Sequence, residues 1–562
     1  MSLLDTASLI VTPNGYKEGK LYSVIPSDGS GDLSVTRATT ATRVNSAGLV
    51  ELVPYNLFTY SEQFDNSAWP KYEASITANN TTAPNGTLTA DKVIPSTDND
   101  SHAIERPVSG AAQSFSLYAK AGEYSRIALL FTVHDALARF NLTNGTIIST
   151  SGSVTASIED AGNGWYRCII STTLTTHNEA RIYVLDNSSN FNYTGNGTNG
   201  LFIWGAQLVE GSTAKDYQKT ETRLNIPRLD YSNGTCPSLL VEPQRTNLLT
   251  WSSSFNNWLP AGGSVTANTT TAPDGTMTAD TLNGIRYQNP IGVNVWTFSC
   301  YAKANGGSGN FWLRVDIPAT NETLFDLTNG TYSAPSGYTA SIEDVGNGWY
   351  RCTMTTPSVN IINAVVVSSN YGTNETFIWG AQFEAGAYPT SYIPTTSASV
   401  TRNADVISKT GISSLIGQTE GTFFTEFYYN GIIDNSNARK IISFNDGSST
   451  NLIDAFIGVT GNTITTRVRA NDSSLGQINS AVLTQGFYKI AYAYKNSDFV
   501  LYVNGVQAGS VSSGTISFTS AVSIAQIGDG EASNDQLGSL IKAAALWKTR
   551  LTNDQLTALT TL

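Results

Sequence analysis

The chain has 562 residues, with 32 Lys and Arg against 44 Asp and Glu and a net charge of −12. Such a balance excludes a nucleic-acid binder, whose surface must offset phosphate charge. The 40% hydrophobic and 10% aromatic content excludes a disordered chain, because it supplies enough apolar surface for real cores. Charged residues make up only 14%, against roughly a quarter in ordinary soluble domains, so hydroxyl and amide groups must cover the outward faces.

At about 150 residues per domain, the length suggests three or four domains. The opening stretch Met1 to Val11 lacks a basic n-region and carries Asp5 within its apolar run, which makes it a poor secretory signal. No run of 18 apolar residues occurs, so no membrane span is expected, and synthesis in a cytoplasm is.

Five blocks of sequence then recur in one order. Ile76-Thr-Ala-Asn-Asn-Thr-Thr-Ala-Pro-Asn-Gly86 returns as Val265-Thr-Ala-Asn-Thr-Thr-Thr-Ala-Pro-Asp-Gly275, and Phe115-Ser-Leu-Tyr-Ala-Lys-Ala121 as Phe298-Ser-Cys-Tyr-Ala-Lys-Ala304. Phe140 to Gly145 matches Phe325 to Gly330. Ile158-Glu-Asp-Ala-Gly-Asn-Gly-Trp-Tyr-Arg-Cys168 matches Ile342 to Cys352, and Phe202-Ile-Trp-Gly-Ala-Gln207 matches Phe377 to Gln382. The units are too long for a solenoid and read as two tandem globular copies.

Within each copy the apolar period is 2. Residues 115, 117 and 119 share one face, and residues 202, 204, 206 and 208 share another. Short alternating runs divided by Asn-Gly, Asp-Gly and Gly-Asn-Gly turns predict an antiparallel sandwich. The repeat also explains the cysteines. Cys300 replaces Leu117, and Cys168 and Cys352 occupy one equivalent position, so these thiols act as small buried hydrophobes and do not pair.

After Val400-Thr-Arg402 a different module begins. Gly421 to Tyr429, Phe487 to Tyr494 and Phe499 to Val506 read as strands, with Asn504-Gly505 as a type I′ turn. Thr552 and Gln555 fit a capping box, with Leu551 and Leu556 at the staple positions of a final helix. The hairpin, the closing strand Leu537 to Trp547 and the short helix resemble the laminin-G-like, concanavalin-A-like jelly rolls over about 400–562. That resemblance implies a two-sheet sandwich binding glycans or protein surfaces at a rim, frequently with calcium. The expected fold class is all-β: three antiparallel jelly-roll-like sandwiches in tandem at 50–225, 226–400 and 401–562, after a short N-terminal attachment segment at 1–49.

Val35-Thr-Arg-Ala-Thr-Thr-Ala-Thr-Arg-Val-Asn45 with Gly48-Leu-Val-Glu51, and Leu239-Leu-Val-Glu-Pro-Gln-Arg-Thr-Asn-Leu248, resemble the openings of tailed-bacteriophage structural proteins. Copy one departs from the pattern, because Val53-Pro-Tyr-Asn-Leu57 lacks the Arg-Thr before Asn. The resemblance implies sandwiches similar to carbohydrate-binding modules, in a tail fibre, head fibre or capsid-surface protein. Partners would be other virion proteins and a host-surface glycan or receptor. No heptad run supports a coiled coil, and a homo-oligomer, a trimer by analogy with phage fibres, is expected.

The inventory for catalysis is thin, and no enzyme is expected. Histidines occur only at 102, 134 and 177, with no nucleophile elbow, P-loop or dinucleotide fingerprint. Glu159-Asp160 and Glu343-Asp344 are adjacent in strands, so they point to opposite faces and suit paired-acid hydrolysis badly. They read better as caps of the Gly-Asn-Gly turn, with Arg167 and Arg351 as partners. Calcium in the Asn/Asp/Gly loops is the one cofactor considered. Flat aromatic faces are the better lead for sugar binding. Trp165, Trp349, Trp204 and Trp379 recur in alternating strands and are assigned to packing. Trp296 and Trp312 are the leading binding candidates, followed by Trp69, Trp258, Tyr428, Tyr429 and Trp547. A purely architectural decoration or collar protein is the competing function. A polysaccharide-degrading tailspike, which predicts a long parallel β-helix, comes third.

Overall fold

The computed structural model describes all residues except 1–2, 109–112, 133–135, 175, 291–293, 317–319, 358–363, 370–374, 432–437, 460 and 531–534. It is almost wholly antiparallel β-structure, with one α-helix among the described residues, Asn553–Thr560. Contacts divide it into two compact units, residues 54–224 and residues 1–53 with 225–562. Among the described residues the strand ladders are antiparallel, and the parallel pairing is an isolated bridge between Lys440 and Gln536. That gives no support to the parallel β-helix of the tailspike reading.

The unit 54–224 is one sandwich. Its first layer runs Thr155–Gly162, Trp165–Thr172, Gln113–Lys120, Leu201–Glu210, Ala90–Pro95, Ala74–Thr81, and its second is centred on Ala136–Asn141, Arg126–Phe131, Glu179–Leu185 and Asn99–Pro107. Phe115, Leu117, Cys168, Leu129, Phe140 and Ile182 meet between the layers. The second copy repeats this plan, but one long strand, Ala279–Gln288, serves both layers. Asp280 to Leu282 pair with Glu375–Ala385, and Ile285 to Gln288 pair with Ala364–Ser369, as strands do when they turn a sandwich corner.

The alternation read over residues 202 to 208 is broken. Gly205 and Gly380 both have φ of 62°, and the ladder slips one residue between Ser116 and Tyr118 and between Ser299 and Tyr301. A bulge of this kind reverses which residues face inward. Leu201 and Ile203 therefore enter the core before it and Ala206 and Leu208 after it, while Trp204 is expelled to the outer side. There it packs on Tyr118 and Tyr217. Trp165, Trp349 and Trp379 are also buried, in satellite clusters on that outer side and outside the inter-layer core.

Residues 1–49, read from the sequence as one separate segment, are divided: residues 9–36 are built into the last module, and the strands of the hairpin that begins at Ala41 pair only with each other. Leu9–Lys17 pairs with Ser539–Trp547, Lys20–Ile25 with Leu9–Lys17, and Leu33–Thr36 with Val406–Lys409. Leu9, Val11, Leu21, Leu33 and Val35 lie in one core with Phe423, Ile442 and Leu546. The physical reason is edge satisfaction: Ser539–Trp547 and Val406–Lys409 would otherwise offer unpaired ladders to solvent. At the module's far end, Asn504 and Gly505 have φ of 49° and 82°, as a type I′ turn requires. Thr552 and Gln555 form the reciprocal capping box.

The segments that open the two sandwiches have matching structural work. Asn56 donates to Ala206 O and Gln218 O and accepts from Phe58 N and Leu208 N. Asn247 does the same with Ala381, Ile393, Leu249 and Phe383. The missing Arg-Thr in copy one therefore leaves the Asn staple intact. Arg37 of the first motif converges with Arg228 and Arg402 in a buried charge cluster. Arg37 Nη1 lies 2.7 Å from Asp405, Arg228 Nη1 2.7 Å from Glu242 and Arg402 Nη1 2.6 Å from Glu242. Arg228 also bonds Asp405, and Ser391 donates to Glu242. Burial alone would raise the Glu242 carboxyl, but Arg402 and Arg228 hold it down at about 2.

Candidate functional site

The structure separates the seven aromatic candidates sharply. Trp69 is buried, its indole N–H donates to Tyr60 O at 2.9 Å, and its ring lies against Phe58 and Phe64. Trp258 is buried in the same way, donating to Trp251 O and packing on Phe255. Their Asn-rich stretches are held down by Asp91 and Asp280, which accept from Phe64 N and Phe255 N. Each Trp therefore plugs the end of its sandwich. Trp296 is stacked on Phe383 at 4.8 Å inside the second core. Tyr429 sits in the last module's core beside Arg439. Trp547 is fully buried and donates to Leu3 O. These five faces are spent on protein contacts, which corrects their reading as sugar platforms. The repetition of Trp69 in Trp258 was the sequence signal for packing.

Trp312 and Tyr428 remain half-exposed. In Asn310–Asp316 the residues Phe311, Leu313 and Val315 enter the core, so Trp312 and Arg314 stand on the opposite face. The ladder sets Trp312 between Leu324 and Ser368, and Arg314 between Glu322 and Val366. Tyr287 extends the second row beyond Val366. One sheet face thus presents two aromatic rings with a guanidinium and a carboxylate, the mixture that fixes an amphipathic ligand.

The equivalent face of the first sandwich carries Tyr183, Arg181 and Glu105. There Phe191 crosses Tyr183 edge-on at 5.0 Å, beneath the Arg139 guanidinium. Arg181 is held by Glu179 at 2.7 Å and Glu105 at 3.3 Å. The aromatic ring is lidded there. Sequence reasoning missed this pair of related faces, because it weighed aromatics singly and not by ladder rows.

Tyr428 belongs to a second patch. It lies opposite Phe487, with ring centroids 5.1 Å apart, and its hydroxyl accepts from Gln485 at 2.8 Å. The Lys542 ammonium stands 3.9 Å over Phe487 and 3.7 Å from Glu426.

No catalytic arrangement accompanies these patches among the described residues. Both ring nitrogens of His102 face carbonyl oxygens, and His177 Nε2 meets Gln113 Oε1. His134 lies outside the described residues. Asp160 and Asp344 cap the N–H groups of Gly162 and Gly346 at 2.8 Å, with Arg167 3.9 Å from Glu159. Cys168, Cys300 and Cys352 are buried free thiols, and burial raises all three.

Calcium needs six to eight oxygens. No described group of three or more His, Cys, Asp or Glu could hold a metal ion. The loop carboxylates are taken by turn amides, as Asp326 is by Thr328 N and Asn329 N. In the close acid pair Asp529 and Asp535, Asp529 receives the amide N–H of Gln536 and not its oxygen. The described residues do not fit a calcium cage.

That pair instead makes a pH prediction. Burial first, and then the Asp535 charge, push Asp529 up to about 7. Folding therefore favours its protonated form, so the group stabilises below about pH 4 and its contribution is lost as pH rises towards 7. Asp529→Asn is expected to flatten that slope and to raise the melting temperature at pH 8 relative to the parent, as followed by calorimetry from pH 4.5 to 8.

One family model agrees with the all-β fold of the last module. Residues 418–557 match the family model described as the concanavalin A-like lectin/glucanases superfamily. No curated protein matches the chain. Among solved structures, the CBM40 of Ruminococcus gnavus IT-sialidase is 16% identical, covering 26% of this chain and 86% of that one at a TM-score of 0.23. The NanB sialidase of Streptococcus pneumoniae is 12% identical, over 27% of this chain and 26% of its own, also at 0.23. A SAP-like pentraxin from Limulus polyphemus is 18% identical, over 25% and 68%, at 0.18. No helix of the described residues is long and apolar enough to cross a membrane.

Proposed function

We propose that this chain is a tailed-bacteriophage virion protein, made in the host cytoplasm, that adheres to host-surface glycan through aromatic sheet faces. The observation that carries the binding reading is the pair of adjacent ladder rows that put Trp312 beside Arg314, Glu322 and Tyr287 on one half-exposed face. A flat ring there covers the apolar side of a pyranose, while guanidinium and carboxylate exchange hydrogen bonds with its hydroxyls. The concanavalin A-like match over 418–557 and the Tyr428–Phe487 patch support a second contact. Scarce surface charge suits uncharged sugars better than ionic ligands. Each site is a shallow face, so useful strength would come from many copies on one particle. A homo-oligomer, trimeric by analogy with phage fibres, supplies that multiplicity.

The test uses the full chain on immobilised host-surface polysaccharide. Trp312→Ala is expected to weaken binding at least tenfold with an unchanged melting temperature, and Tyr428→Ala to weaken it less. Retained binding in the double variant would sink the aromatic-face reading. Antibody label at the tail tip or on fibres of intact virions supports adhesion. Uniform capsid label without glycan binding would leave the architectural role.

A further inference from the structure

The two sandwiches carry one aromatic tetrad on the outer side of their first layers, and the chain shows what one of them receives. In the second sandwich Tyr301, Trp349, Trp379 and Tyr392 close around Val50 of the hairpin Ala41–Val53. Val50 N donates to Pro273 O at 3.0 Å, and Thr42 Oγ1 donates to Tyr392 O at 2.5 Å. Leu49 Cδ1 lies 2.9 Å from the point where a Cβ on Gly275 would stand. Tyr301 and Tyr392 are left 4% and 3% exposed.

The first sandwich builds the same seat from Tyr118, Trp165, Trp204 and Tyr217. Tyr118 and Trp204 are 5.4 Å apart where Tyr301 and Trp379 are 5.3 Å apart. Trp204 and Tyr217 are 4.7 Å apart where Trp379 and Tyr392 are 4.6 Å apart. Trp165 donates to Thr82 O at 3.1 Å, as Trp349 does to Thr271 O. The two tryptophans are as buried as their counterparts, Trp165 and Trp204 beside Trp349 and Trp379, and the covering differs at the tyrosines and the turn. Tyr118 and Tyr217 are only half-buried, and a Cβ on Gly86, the counterpart of Gly275, would meet nothing within 4 Å. Among the described residues no main-chain donor reaches Pro84 O, the counterpart of Pro273 O.

We propose that the tetrad of the first sandwich, with the turn from Ala83 to Gly86, receives a β-hairpin of a different protein. Its chemistry is set by the filled seat: an adjacent aliphatic pair like Leu49-Val50, one residue packing on the rings and the other on the turn glycine, and a free main-chain N–H for Pro84 O. A different protein fits better than a second copy, because each copy has already seated its own hairpin on its second sandwich. Such edge-plus-pocket recognition supplies affinity through backbone bonds and specificity through alternate side chains. The inference is independent of glycan binding, which uses other faces.

A cyclised peptide of residues 39–54, with a photoreactive group at position 49, serves as the probe on the full chain. Saturable labelling at one peptide per chain is expected within residues 82–90 or around Tyr118 and Tyr217. The same peptide carrying Val50→Asp is expected to label at least tenfold less. Absent or unsaturable labelling would overturn the proposal, as would labelling confined to residues 272–276, which reports exchange with the resident hairpin. Self-association of the chain that Val50→Asp abolishes would overturn it in favour of a second copy.

Discussion

A fragment of residues 400–562 expressed alone is expected to fail as a cooperative fold, although it spans the whole matched region 418–557. It lacks Leu9, Val11, Leu21, Leu33 and Val35, all buried in the module's core. Burial of each such side chain contributes about 1.5–3 kcal/mol, so the five together approach the 5–15 kcal/mol that separates a typical native state from its unfolded ensemble. The loss also uncovers ladder edges on Ser539–Trp547 and Val406–Lys409, which invites edge-to-edge association. Near-ultraviolet circular dichroism and thermal melting should show weak tertiary signal and no sharp transition. Fusion of residues 1–53 through a flexible linker should restore much of both. A lone fragment melting as sharply as the full chain would refute the account.

Glu242→Ala should be the most damaging single substitution outside the cores. Glu242 is the shared partner of Arg228 and Arg402, and its removal leaves Arg37, Arg228 and Arg402 buried with Asp405 as the directly bonded carboxylate. Deleting one member of a buried ionic group costs about 3–5 kcal/mol, or a fall of roughly 6–20 °C in the melting of a 150–250-residue domain. The pair Glu242→Gln with Arg402→Met removes one charge of each sign. It should recover much of the loss if charge imbalance and not lost volume is the cause. Because the two arginines hold Glu242 at about 2, its contribution is complete above the ordinary carboxylate range, about pH 4.3. It is lost as pH falls towards 2. The parent should therefore lose stability steeply between pH 4.5 and 2, and the double variant less so. Equal acid sensitivity would place the effect on other carboxylates.

Much of the architecture was legible because its signals are local. The five recurring blocks, the period of 2, the Asn504-Gly505 turn and the Thr552 capping box each lie within a few residues of their own consequences. Cys168, Cys300 and Cys352 were legible too, since each sits at a packing position of the repeat, whereas Cys236 lies outside the repeat and is exposed. Individual faces were not. One glycine with positive φ, Gly205 or Gly380, shifts the ladder by a residue and sends Trp204 and Trp379 outward. Trp296 and Trp312 look alike in sequence, yet only Trp312 falls on an outer row. That outcome depends on which strands flank Asn310–Asp316.

By itself, then, the sequence determined the all-β class, the repeat and the character of the last module, because alternation and turn chemistry act over short spans. Tertiary structure alone decided that residues 9–36, across more than 350 residues of intervening chain, and residues 228–241 join the last module. It also brought Arg37, Arg228, Glu242, Arg402 and Asp405 into one buried cluster. Strand pairing and charge desolvation depend on distance in space. No local pattern reports which distant edge a strand will find, or which outer aromatic seat a hairpin will fill.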